Sequence, residues 1–159
     1  MQTSVFTYPF FYRMIYRYAI IPANLLLLFY VLPFMFHFAI MKYFYGVVLA
    51  ILLYMLNSYF WYLRNIIPYR IEVDGNKIRC SKFLFSRKIV EFEFADIENL
   101  LGGIFEKKTS GMYRIRIKDP EREIGFFNLI GKSRELQNLL LQGVNRKVYE
   151  MIISRITAD

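Results

Sequence analysis

Two uncharged apolar runs, Ala19 to Met41 and Tyr43 to Leu63, are separated only by Lys42. Each supplies the roughly 20 residues a helix needs to cross about 30 Å of hydrocarbon. Backbone hydrogen bonds must close internally in that medium, so helix is the conformation available. As buried helices of a soluble protein, the two runs would need covering structure that the rest of a 159-residue chain is too short to supply. The chain therefore reads as a transmembrane hairpin over about residues 20–40 and 43–63. Its turn is expected around Phe38 to Phe44, and Pro33 is expected to kink the first helix.

Charge divides the chain in two. Met1 to Leu63 contains no Asp or Glu, and its only formal charges are Arg13, Arg17 and Lys42. From Arg64 onward, basic and acidic residues alternate as in a soluble domain. The division is thus a membrane part over 1–65 and a cytoplasmic domain over 66–159. Arg13, Arg17, Lys42 and Arg64 supply part of the net charge of +8 and all flank apolar runs. That is the pattern of topology signals, and no run of like charge suggests a nucleic-acid partner. Arg13 and Arg17 precede the first helix, and Arg64 and Arg70 follow the second, so both termini are expected in the cytoplasm of a multi-pass inner-membrane protein.

The N-terminal twenty residues interleave Phe and Tyr with Arg13 and Arg17. Pro9 and Pro22 suit first helical positions. Pro9 to Ala19 is read as a short helix lying along the inner leaflet, the alternative being a continuation of the first transmembrane helix. Aromatics cluster at the turn and again at Tyr59 to Tyr62, as in interfacial belts. Arg13, Arg17, Trp61 and Arg64 are the candidate interfacial anchors.

After Arg64 the apolar period becomes two. Tyr69 to Val73, Lys77 to Phe83 and Arg87 to Phe94 read as successive strands, the first two joined by an Asp-Gly turn. Pairing residues whose numbers sum to 170 sets Lys77 against Glu93 and Arg79 against Glu91, and keeps Ile78 and Cys80 on the apolar face. A short turn over Ala95 to Asn99, a strand over Leu100 to Phe105 and a strand over Tyr113 to Lys118 follow. Asp119-Pro120 suits a type I turn into Glu123 to Phe127, pairing Ile117 with Ile124 and Ile115 with Phe126. Ser133 is a candidate N-cap, and Gly143 and Asn145 punctuate two terminal apolar stripes, the second through Val148, Met151, Ile152 and Ile156. The expected order is two helices, about six strands and a closing helical segment, a membrane hairpin followed by an α+β domain.

The IEVDGNKI hairpin, the FSRKIVEFEFADIENL segment with its Asp96-Ile97-Glu98 turn, the YRIRI strand and the closing helix resemble the bacterial pleckstrin-homology-like membrane proteins. The resemblance implies an antiparallel sheet or partly open barrel closed by a C-terminal helix. It also implies a non-enzymatic module binding proteins or lipid headgroups at the membrane surface.

Residues for chemistry are sparse. With one Cys and one His, no His/Cys metal set and no cytoplasmic histidine triad can be built within the chain. Cys80 alternates with Ile78 and reads as core. Gly102-Gly103 lacks the lysine of a phosphate loop and reads as a bulge or bend. Catalytic residues, metals and cofactors are therefore not expected. The leading expectation is a scaffold or accessory subunit of a membrane complex, partnered by the bilayer and other subunits. A second is a sensor of anionic headgroups, through Lys82, Arg87 and Lys88 beside the first hairpin or through Arg114 and Arg116. Arg114 and Arg116 are expected to lack acidic partners opposite. A third is a cofactor-binding subunit using His37, whose bland alternative is a place at the outer interface.

Overall fold

In a computed structural model the described residues are 3–37, 42–83, 86–108, 111–118 and 121–157. The chain opens with a strand, β1 (Ser4–Thr7), and then α1 (Phe10–Tyr18). The helix α2 (Ile20–His37) follows after a 43° bend at Ala19, so α1 is a helix distinct from α2. Pro22 lies in the first turn of α2, where its missing N–H has no intrahelical acceptor. The long helix α3 (Lys42–Ile66) is 25 residues, about 37 Å at 1.5 Å per residue. The second apolar helix, α3, continues past its expected limit at Leu63 to Ile66, and α2 begins where expected, at Ile20. Most of the expected turn, together with the side chains of His37 and Lys42, lies outside the described residues. Across the hairpin, the side chains of Asn24 and Asn57 bond to one another.

The α+β domain contains two antiparallel sheets, open rather than closed into a barrel. The first is ordered β1-β2-β3-β4, with β2 (Pro68–Asp74), β3 (Lys77–Phe83) and β4 (Val90–Glu93). The second is ordered β5-β6-β7, with β5 (Ile97–Leu101), β6 (Met112–Ile117) and β7 (Arg122–Phe127). Two helices end the chain, α4 (Ser133–Gly143) and α5 (Arg146–Thr157), the latter lying along β5 and the 3-10 turn Gly103–Glu106. The core gathers Phe6 and Tyr8 from the N-terminal segment with Ile71, Ile78, Cys80, Leu100, Ile115 and Phe126 from both sheets and Leu136, Leu140 and Ile152 from the helices, all at 0% exposure. Each such side chain contributes on the order of 1.5–3 kcal/mol by leaving water.

The β3–β4 register matches its expectation, with Lys77 opposite Glu93 and Arg79 opposite Glu91. Other expectations are corrected. The N-terminal segment also contributes an unexpected strand, β1 pairing with β2, Phe6 facing Ile71 and Thr7 facing Arg70. The β6–β7 pairing is displaced by one pair, with Ile115 opposite Ile124 and Tyr113 opposite Phe126. This register keeps every apolar residue on its face and stacks the Tyr113 and Phe126 rings, centroids 5.0 Å apart. The expected strand to Phe105 stops at Leu101, because Gly102 and Gly103, at φ +80° and +50°, turn the chain into the 3-10 segment. A side chain on Gly102 would collide with the Met112 carbonyl. Ser133 is the first residue of α4 rather than its N-cap, and its hydroxyl lies 2.6 Å from Asn128 Oδ1. Asn145 does cap α5, its Oδ1 accepting from the Val148 N–H at 3.0 Å. Met151 is 36% exposed, so the buried stripe of α5 runs through Val148 and Ile152 without it. The Asp119-Pro120 turn lies outside the described residues.

Candidate functional site

The N-terminal segment positions one wall of the site. Tyr8 is fully buried, and its hydroxyl accepts a hydrogen bond from the Phe127 N–H at 2.7 Å. Tyr16, one face further along α1, stacks on Phe127 with centroids 5.3 Å apart. Tyr69 of β2 donates its hydroxyl to the Arg13 carbonyl at 3.3 Å. These contacts hold α1 over the sheet by its tyrosine face. The neighbouring face, Phe10, Arg13, Met14, Arg17 and Tyr18, follows the i, i+3, i+4 spacing of a helix and lines a cleft.

The sheet forms the opposite wall. Arg70 and Glu72 project from β2, and Arg79 and Ser81 stand across from them on β3, Glu72 opposite Arg79 and Arg70 opposite Ser81. Lys82, Phe83, Arg87 and Ile89 complete the boundary of a cleft of about 1080 Å³. Six cationic side chains face it against one carboxylate, Glu72. That carboxylate is held by Arg70, and Arg79 reaches away to Glu91 at 3.1 Å.

Two local features sharpen the site. Strict alternation along β3 after Ile78 and Cys80 would send Lys82 into the core. Instead Lys82 adopts φ +57°, the alternation slips by one, Phe83 is buried and the Lys82 side chain stays outside. A left-handed lysine costs on the order of 1–2 kcal/mol, a conformation that Lys107 and Lys132 outside the cleft share. The Nε atoms of Arg13 and Arg70 are shielded from solvent and, among the described residues, have no partner. Unmet buried donors on cationic groups are costly, and these two nitrogens are covered by the protein rather than open to the cleft. The Tyr69 hydroxyl is pushed up to about 12 by burial, which outweighs the opposing pull of Arg17 and Arg13. It is therefore a neutral donor beside the cleft.

Of the residues singled out from sequence, Lys82 and Arg87 line the cleft. Lys88 lies beside it, its Nζ 5.7 Å from the Phe83 ring centroid. Arg114 and Arg116 do not join them. They belong to the other sheet, where Arg116 stands opposite Glu123 and Arg114 bonds Glu123 at 3.4 Å, contrary to the expectation that they lack acidic partners. Glu123 also accepts from the Tyr62 hydroxyl at 3.0 Å, tying the end of α3 to β7. Arg13 and Arg17, read as anchors, also form the helical wall. Trp61 and Arg64 sit together at the end of α3, guanidinium over indole at 4.6 Å. Arg70 is legible in the sequence as a topology charge, and Arg79 as a basic residue of the first hairpin already paired with Glu91. Cys80 is a core residue whose thiol burial pushes up. Comparisons with protein families, curated proteins and solved structures found no match to this chain.

Proposed function

We propose that the chain is a non-enzymatic, membrane-anchored protein whose pleckstrin-homology-like cytoplasmic domain holds an anionic headgroup at the inner leaflet. The observation that carries this reading is the cleft between α1 and the β2–β3 sheet, lined by six cations and one carboxylate. Basic residues close to a bilayer surface each add about 1 kcal/mol of attraction to anionic lipid. Supporting the anchor, α3 is long and apolar enough to cross a membrane, and α1 with α2 forms a bent pair that passes the same test together. Only 11% of the apolar stretch of α3 is buried within the protein, unlike the core helix of a soluble fold. The β1–β2 pairing supports a hairpin whose two ends lie on one side. The scaffold or accessory-subunit role fits the same anchored architecture, with an acidic protein segment in place of the headgroup.

Purification from native membranes in mild detergent, with identification of every bound lipid and companion chain, tests this reading. Enrichment of anionic phospholipid, reduced by Arg13→Gln with Lys82→Gln, is the expected result. Retention of a companion chain released by the same substitutions favours the accessory-subunit role. Equal retention of neutral and anionic lipid overturns the headgroup site.

A further inference from the structure

The two walls of the cleft differ in chemistry. The sheet wall presents Arg70, Arg79 and Lys82, whereas the helical wall alternates cations with Phe10, Met14 and Tyr18. Those three apolar residues are 76%, 49% and 47% exposed. Phe11 and Ile15 extend the bare apolar surface along α1, which leads through Ala19 directly into α2. One surface of α1 is thus both an edge of the cleft and a greasy strip continuous with the hairpin. A site for a small soluble anion needs only the charged wall. The volume of about 1080 Å³ is also at the top of the ~300–1,000 Å³ range that encloses a drug-sized ligand, far beyond a lone phosphate.

Resting on the headgroup reading above, we infer that the cleft receives the upper part of an intact anionic diacyl phospholipid, entering sideways from the inner leaflet. The phosphate lies against the sheet wall, beside Arg70 and Lys82 and across from Arg13 of the helical wall. The glycerol and first methylenes run along Phe10, Met14 and Tyr18, and the remaining chains stay in the bilayer. Arg13 and Arg17 lay their aliphatic stems on the apolar strip while their heads reach the phosphate, as long cationic side chains do at interfaces.

Native mass spectrometry of the full-length, detergent-solubilised protein tests this with three probes, phosphatidylglycerol, phosphatidylcholine and water-soluble glycerol phosphate. Phosphatidylglycerol is expected to bind most tightly. Arg13→Gln with Lys82→Gln should weaken it about 25-fold, about fivefold per cation. Phe10→Ser with Met14→Ser should weaken phosphatidylglycerol about tenfold while leaving glycerol phosphate unchanged. Circular dichroism confirms that the variants fold, and Tyr18→Ser on the same wall serves if the double variant does not. If glycerol phosphate binds as tightly as the lipid and the wall substitutions change neither, sideways lipid entry is overturned while the anion site stands. If neither anionic probe binds more tightly than phosphatidylcholine, both readings fall.

Discussion

Asn24 of α2 and Asn57 of α3 exchange side-chain hydrogen bonds in both directions, at 3.2 and 3.0 Å. Each amide spends its second N–H on the carbonyl one turn back, Asn24 on Ile20 at 2.9 Å and Asn57 on Leu53 at 2.7 Å. Every amide proton of the pair is therefore satisfied within the hairpin. In a bilayer, interhelical polar contacts of this kind average about 0.6 kcal/mol and reach about 1.7. Asn24→Leu or Asn57→Leu alone strands one amide and is expected to destabilise the hairpin by roughly that amount. The double substitution removes both partners and should cost less than the sum. Thermal unfolding of the four proteins in one detergent measures the coupling, and additive costs would mean the amides act independently.

Tyr8 links the start of the chain to the end of β7 through the Phe127 N–H. Tyr8→Phe keeps the ring in place and leaves that buried N–H without an acceptor. The expected loss is about 1–3 kcal/mol, read from the unfolding transition of the full-length protein.

Lys82 ties stability and binding together with opposite signs. Lys82→Gly relieves a left-handed backbone at φ +57° but enlarges the unfolded ensemble. With about 1–2 kcal/mol relieved and about 0.5–1 returned to entropy, a net stabilisation near 0.5 kcal/mol is expected. Loss of the charge should weaken anionic-lipid binding about fivefold. Parallel melting and lipid-binding measurements check the pair of signs.

Gly143 closes α4 against the Phe94 ring, and a methyl group there would overlap that ring. Gly143→Ala should cost about 1–3 kcal/mol through overpacking. Phe94→Leu in the same background should recover part of the loss. Melting temperatures of the two variants decide it.

Alkaline pH should weaken the fold. Burial raises the Cys80 thiol and the Tyr8 and Tyr69 hydroxyls above their ordinary values of 9.0 and 10.0, Tyr69 to about 12. In the unfolded chain these groups lose protons first, so the unfolded state holds fewer protons as pH rises. Their stabilising contribution is complete below about pH 9 and declines above it. Melting temperature followed from pH 7 upward should fall, and Cys80→Ala should remove the earliest part of the decline. A flat profile to pH 11 would contradict it.

How legible the fold was depends on how local each signal is. The β3–β4 register could be read because two charge pairs and the Ile78–Cys80 face all agree on one alignment. The β6–β7 register could not, because a shift by one pair leaves Ile115, Ile117, Ile124 and Phe126 on the same faces. The Tyr113–Phe126 stacking and the place of Glu123 opposite Arg116 distinguish the observed register, and ring stacking across strands has no periodic signature. The strand Ser4–Thr7 is too short for alternation to register, and its partner lies beyond the entire hairpin. The cleft was half-seen for the same reason. Lys82 and Arg87 are near one another in sequence, whereas Arg13 and Arg17 reach them only once β1 has carried α1 onto the sheet. The asparagine pair left no trace in a scan for charges and apolar periods.

The pairing of Phe6 with Ile71 also fixes an order of assembly. Ser4–Thr7 is synthesised before the two apolar helices, and the edge it completes only after them. The first sheet cannot gain β1 until both helices have been made and their outer ends brought together. A polypeptide whose helix ends stay apart would leave the β2 edge unpaired and Tyr8 without its acceptor role. A strand of four residues thereby ties completion of the first sheet to closure of the helical hairpin.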